Sequence, residues 1–156
     1  MIVGILGSGG NDSLCRLGLM VVAARARASG AEFDLVDLKQ EFRHLHEPAD
    51  YASPPPGSQT ERLRRRVARA SGTVLATPVY HGSFSGLLKN ALDHLQVGAF
   101  RHRAVGLVAD DFGPDGLRDD VHRRVIALVD ELRFLGGLRD ADSASGNSRL
   151  PQKRQC

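Results

Sequence analysis

The chain has 156 residues, 42% of them hydrophobic and 25% charged, which is enough to bury a real core in one domain and rules against disorder throughout. A formal net charge of +3 is too small to mark a nucleic-acid binder, although the basic excess favours anionic ligands. Cys15 and Cys156 are the only cysteines, so neither a disulfide framework nor a cysteine metal site is indicated and a reducing cytoplasm is the expected compartment.

In chain order, residues 1–6, "MIVGIL", are a short apolar run that ends at Gly7, and residues 14–28 are an apolar, alanine-rich segment. The pair reads as a strand followed by a helix. Residues 33–38, "FDLVDL", predict a second strand. The stretch "KQEFRHLHEPADYASPPPG" then reads as a long loop, interrupted by three consecutive prolines. Ser58 and Glu61 have the spacing of a capping box. A second helix is expected to start there, run through "ERLRRRVARA" and close at Gly72.

Thr73 to Ala76 predicts a third, buried strand, and residues 85–96 a third helix. In that helix Leu87, Leu88, Ala91, Leu92 and Leu95 share one face, opposite Lys89, Asn90, Asp93 and Gln96. Residues 104–109, "AVGLVA", predict a fourth strand. From Leu117, the positions Val121, Val125, Leu128, Val129, Leu132 and Leu135 build a fourth amphipathic helix, stopped by Gly136 and Gly137. A fifth strand at 138–140 is short or absent. Residues 1–140 are thus read as one domain, and residues 141–156 as a tail that is poorly ordered or docked on a partner chain.

Strands without polar alternation, separated by helices, predict a parallel sheet covered on both faces, an α/β fold. No apolar run reaches membrane-spanning length and no leader pattern is present, so a soluble, unprocessed protein with no membrane partner is expected. In such a sheet ligands bind beyond the carboxyl ends of the strands, where strand order reverses. With the order 2-1-3-4-(5), three glycine-bearing loops converge there: "GSGGNDS" from Gly7, "TPVYHGSFSG" from Thr77 and "DDFGPDG" from Asp110.

Ser8 and Ser13, with the N–H groups at a helix start, suit a phosphate. Capping of the first helix by Ser13, Asp12 or Asn11 is the simpler account of that loop taken alone; convergence with the other two loops favours the phosphate. Competing motifs fail. "GSGGND" carries Asp12 where a dinucleotide fingerprint needs its third glycine, and no GK[ST] exists for a P-loop. A dinucleotide reading would still place Asp34 or Asp37 on a ribose hydroxyl.

The stretch "TPVYHGSFSGLLKNALDHL" resembles the T/S-P-x-Y-x-G-S-x-x-G-x-L-K-N-A-x-D signature of NAD(P)H-dependent FMN reductases and related flavodoxin-like quinone reductases. "GSGGNDSLC" stands at the position of that family's G-S-x-R-x-x-S loop, and the order of elements agrees from Met1 to about Gly137. The resemblance implies a three-layer flavodoxin-like sandwich with FMN as cofactor and NADPH or NADH as reductant. It places Ser8, Gly9, Gly10, Asn11 and Ser13 around the FMN phosphate, and Pro78, Val79, Tyr80, His81, Gly82 and Ser83 along the ribityl chain and isoalloxazine ring.

Asp110 and Gly113 would border the flavin from the loop after the fourth strand. No side-chain base is obligatory in this chemistry, and Tyr80 and His81 are the flavin-adjacent candidates. A half-buried strand-end aromatic and a solvated turn residue are their bland alternatives. The activity implied is hydride transfer from nicotinamide to flavin and on to a small acceptor such as free flavin or a quinone. The alternatives are a biosynthetic flavoenzyme with a remodelled acceptor loop in residues 43–57, or a non-catalytic electron carrier.

Gly10 replaces the family's first-loop arginine, which leaves the choice between NADPH and NADH open. Asp110 and Asp111 stand where the family offers a glycine pair, and carboxylates there would lower the flavin potential by repelling an anionic reduced ring. The family's last strand and helix are reduced to little or nothing, so a homodimer, common in the family, is left open. Arg62, Arg64, Arg65, Arg66 and Arg69 read as a solvated basic helix face without nucleic-acid contact, and His44 and His46 as surface residues rather than zinc ligands.

Overall fold

The computed structural model describes residues 1–110 and Asp130. Its elements are β1 (Ile2–Leu6), α1 (Leu14–Ala28), β2 (Phe33–Asp37), α2 (Leu38–Glu41), α3 (Pro48–Ala52), α4 (Gln59–Arg69), β3 (Gly72–Tyr80), β4 (Ser83–Phe84), α5 (Gly86–Asp93) and β5 (Ala104–Asp110). β1 pairs in parallel with both β2 and β3, and β3 pairs in parallel with β5. The sheet therefore runs β2-β1-β3-β5, the order expected, with the reversal between β1 and β3.

The alternation along each strand divides the core in two. Ile2, Leu6, Val74 and Ala76 pack with Cys15, Leu19, Val22 and Ala26 of α1 on one face. Val3, Ile5 and Leu75 pack with Leu63 and Val67 of α4 and Leu88 and Ala91 of α5 on the other. Both faces of β1 are buried, as its unbroken apolar run requires. The three longer helices have serine caps: the side chains of Ser13, Ser58 and Ser85 accept from the N–H groups of Arg16, Glu61 and Leu88.

Four boundaries differ from expectation. α4 ends when Ala70 turns extended at φ −73° and ψ 136°, so Gly72 opens β3 rather than closing the helix. β3 runs on past Ala76 to Tyr80, because Val79 and Tyr80 gain a partner strand in Phe84 and Ser83. "TPVY" is strand, and only His81 and Gly82 turn. The supposed loop after β2 contains α2 and α3, and α5 stops at Asp93, with His94 as its C-cap.

Residues 43–57 form a strap over α4 and α5. Arg43 N–H donates to Gln59 at 2.9 Å, Asn90 Nδ2 donates to His44 O at 2.8 Å, and His46 N–H donates to Asn90 Oδ1 at 2.9 Å. Arg64 binds His94 O at 2.7 Å and Tyr51 O at 3.0 Å, with its guanidinium 5.4 Å from the Tyr51 ring centre. His94 is fully buried; its Nδ1 lies 2.7 Å from Thr60 Oγ1, and its ring meets those of Phe42 and His46 edge to face. Burial, and then the neighbouring His46, lowers the His94 pKa below the usual histidine value.

His46 is thus part of an internal ring cluster, and its Nε2 is screened from solvent. The basic helix is also not uniformly solvated. Arg66 forks onto Asp34 at 2.6 and 2.7 Å and reaches Glu41 at 2.6 Å, and the bond to Asp34 raises its pKa further. Arg62, Arg65 and Arg69 are exposed, as the sequence implied. Asp111, Gly113, the helix from Leu117, the strand at 138–140 and the tail lie outside the described residues.

Candidate functional site

Beyond the carboxyl ends of β1 and β3 two loops meet. The ladder continues one step past β1, where Gly7 N–H donates to Ala76 O at 2.7 Å. Ser85 Oγ, at the start of α5, donates to Gly7 O at 2.5 Å and accepts from Leu88 N–H at 3.1 Å. Thr77 Oγ1 in turn accepts from Ser85 N–H at 2.9 Å and donates to Pro78 O at 3.0 Å. Thr77 and Ser85 are both buried. No side chain fits at Gly7: an added Cβ would stand 2.8 Å from Leu88 Cβ and 3.1 Å from Ala76 O.

From this junction the first loop turns outward. Ser8 is buried at 3% exposure, and its Oγ accepts from Gly10 N–H at 3.4 Å. Ser13 Oγ caps α1 through Arg16 N–H at 3.2 Å, so the capping account of this residue holds. Asn11 Oδ1 accepts from Lys39 Nζ at 2.8 Å, which brings α2 beside the loop, an approach that the sequence did not signal. Among the described residues, the N–H groups of Gly9, Asn11 and Asp12 have no acceptor. A Cβ at Gly9 would meet nothing within 4 Å. Exposed N–H groups at the start of a 15-residue helix, next to a recessed hydroxyl, fit a phosphate dianion.

The second loop is a β-hairpin. Tyr80 and Ser83 face each other across a two-residue turn in which His81 and Gly82 have φ of 52° and 77°. Positive φ at both central positions is what a type I′ turn demands, and Gly82 meets it without strain. The hairpin leaves Tyr80 58% and Phe84 43% exposed, with His81, Gly82 and Ser83 open to solvent. The register sets Tyr80 and Phe84 on opposite faces of the hairpin, and an exposed aromatic on either face suits a flat conjugated ring.

The structure therefore brings Ser8, Gly9, Gly10, Asn11 and Ser13 to the same edge as Pro78, Val79, Tyr80, His81, Gly82 and Ser83. Register pairing sets Asp110, at the end of β5, opposite Pro78. The dinucleotide reading loses its carboxylates, because Asp34 is held by Arg66 and Asp37 by Arg16 at 2.5 Å. Sequence reasoning missed Thr77 and Ser85 as the junction between the loops. The signal was a hydroxyl at the last buried position of a strand and another at a helix N-cap, which reads locally as capping alone.

Similarity to known proteins bears on this geometry. The solved NAD(P)H:(acceptor) oxidoreductase FerB of Paracoccus denitrificans, a flavoenzyme, superposes with a TM-score of 0.61 at 20% identity, covering 85% of this chain and 97% of that one. An NADH:FMN oxidoreductase in its apo form gives 0.60 at 20% identity, covering 85% and 88%. Both share the flavodoxin-like fold. An FMN-dependent NADPH-azoreductase of Staphylococcus aureus is 44% identical over 64 residues, 41% of this chain and 34% of that protein, so the match spans about a third of the relative's length. The model of the family described as NADPH-dependent FMN reductase matches residues 1–135. Both loops of the crevice lie inside that match, and the chain belongs to the NADPH-dependent FMN reductase family.

Proposed function

We propose that this chain is an FMN-dependent NAD(P)H oxidoreductase that reduces a small acceptor, such as free flavin, a quinone or an azo compound. The observation that carries the reading is the junction of the N–H-lined loop after β1 with the open aromatic hairpin after β3 at one sheet edge. Ser8, Gly9, Gly10, Asn11 and Ser13 hold the phosphate, and Pro78 to Ser83 border the ribityl chain and ring. When bound, FMN supplies the chemistry: it accepts hydride from the nicotinamide and returns two electrons to the acceptor.

The protein's part is positional. The hairpin presents Tyr80 to the ring and leaves an open side where nicotinamide and acceptor enter in turn. The flavin-binding unit spans residues 1–140, acts in the cytoplasm, and pairs with a second copy if the exposed Tyr80 and Phe84 are shared. No helix among the described residues is long and apolar enough to cross a membrane.

Titration of FMN followed by fluorescence quenching, and then addition of NADPH or NADH without air, tests the reading. Quenching followed by bleaching of the flavin absorbance is the expected result. Quenching without bleaching by either nucleotide would identify a non-catalytic flavin carrier instead.

A further inference from the structure

We propose that Ser85 is a positioning residue: through its hydroxyl bridge to Gly7 it sets the spacing between the loop after β1 and the hairpin after β3, so that a phosphorylated flavin engages both at once. The proposal rests on the FMN reading above and adds to it a residue that no part of the ligand touches. Its warrant is a chain of four hydrogen bonds, three of them buried: Thr77 Oγ1 donates to Pro78 O and accepts from Ser85 N–H, and Ser85 Oγ donates to Gly7 O and accepts from Leu88 N–H. That chain joins three separate segments: the end of β3, the start of α5 and the first residue after β1.

Ser85 does more than cap. Ser13 and Ser58 also cap helices, but among the described residues no side-chain bond from either hydroxyl reaches a distant strand. The Ser85 hydroxyl accepts from its own helix and donates its proton 78 residues back along the chain, to the carbonyl from which the phosphate loop departs. Packing leaves no slack at that point, since even one carbon added to Gly7 would collide with Leu88 and approach Ser85 Oγ to 3.2 Å.

A ligand with a phosphate at one end and a ring at the other gains from two sites only if their separation is held, because the second contact then forms at high effective concentration. A ligand without the phosphate needs only the hairpin. Loosening the joint therefore weakens FMN and spares riboflavin. A residue that merely stabilised α5 would lower the affinity for both ligands in proportion.

Dissociation constants of the full chain for FMN and for riboflavin, measured by flavin fluorescence in the unsubstituted protein, Ser85→Ala and Ser85→Thr, test this. In Ser85→Ala the preference for FMN over riboflavin is expected to fall about tenfold, the loss of one buried hydrogen bond's worth of coupling, while riboflavin binding is retained. Ser85→Thr, which keeps a hydroxyl able both to cap and to donate, restores the preference. An unchanged preference in Ser85→Ala, whether both affinities fall or neither does, overturns the proposal.

If Ser85→Ala does not fold, Thr77→Val carries the same test from the other end of the chain, with a reduced preference expected and an unchanged one overturning. An unsubstituted protein that binds neither flavin would fail the FMN reading itself and the joint with it. An FMN-binding protein whose preference ignores Ser85 would fail the joint alone.

Discussion

The hairpin after β3 and the strap after α2 are both irregular excursions beyond the regular sheet, and they are built in opposite ways. Among the described residues the hairpin is tied at its base, by Thr77 and Ser85, and holds Tyr80 and Phe84 out to solvent. The strap is tied along its length, at Arg43, His44, His46 and Tyr51, to side chains of α4 and α5, and it closes over the buried His94. A surface that must accept a ligand leaves its apolar groups unpaired. A surface that completes the core satisfies its main chain. This comparison supports the proposal that the hairpin is the ligand side, while the strap's main chain is bound to α4 and α5.

The contrast can be broken experimentally. The largest effect is expected from Arg64→Ala, which leaves His94 O and Tyr51 O without their charged donor and strips a stacked side chain from the strap. We expect a loss of about 3 kcal/mol by urea denaturation, with proteolysis concentrated in residues 43–57. Equal protection of the strap in the variant would show that it is not held as described. Gly7→Ala comes next, at about 2 kcal/mol, because the new methyl collides with Leu88 Cβ and not with a flexible side-chain end. Its melting temperature should fall even without flavin.

A smaller effect is expected from pH, through His94. His94 is held below its ordinary value of about 6.5. Between that value and its folded one the unfolded chain takes up the proton and the folded chain resists, so stability falls as pH is lowered through this window. The groups facing the ring are His46, His44 and Asp50, and Asp50 opposes the shift. Thermal melts at pH 7.5 and 5.5 should show the loss, and His94→Phe should flatten it. A slope undiminished in that variant would assign the dependence elsewhere.

The smallest effect has the opposite sign. His81 sits at φ 52° in a turn that favours Asn or Gly at this position, so His81→Asn is expected to stabilise the chain by about 0.5–1 kcal/mol. His102, at φ 60° in the turn before β5, offers a control. His102→Asn should stabilise to a similar degree without altering FMN affinity, whereas His81→Asn should alter it. Identical flavin binding in both variants would remove His81 from the site.

Much of the frame was legible because it is written in local patterns. The β1 run, the spacing of α1 and the serine caps each depend on neighbours within a few residues, and they sit where the sequence placed them. The end of β3 was not legible, because Val79 and Tyr80 become strand only by pairing with Phe84 and Ser83. The strap was misread for a related reason. Three consecutive prolines and two histidines look like a solvated loop until Asn90 and Arg64, 44 and 13 residues away, supply its hydrogen-bond partners.

By itself the sequence determined the α/β class, the order of the strands and two of the loops at the carboxyl edge, since hydrophobic period, glycine placement and the family signature are all properties of short segments. Only the tertiary structure decided which groups join those loops and which close the core. The bond from Ser85 to Gly7 and the seat of His94 both depend on contacts between residues far apart in the chain, and no local pattern encodes the distance between them.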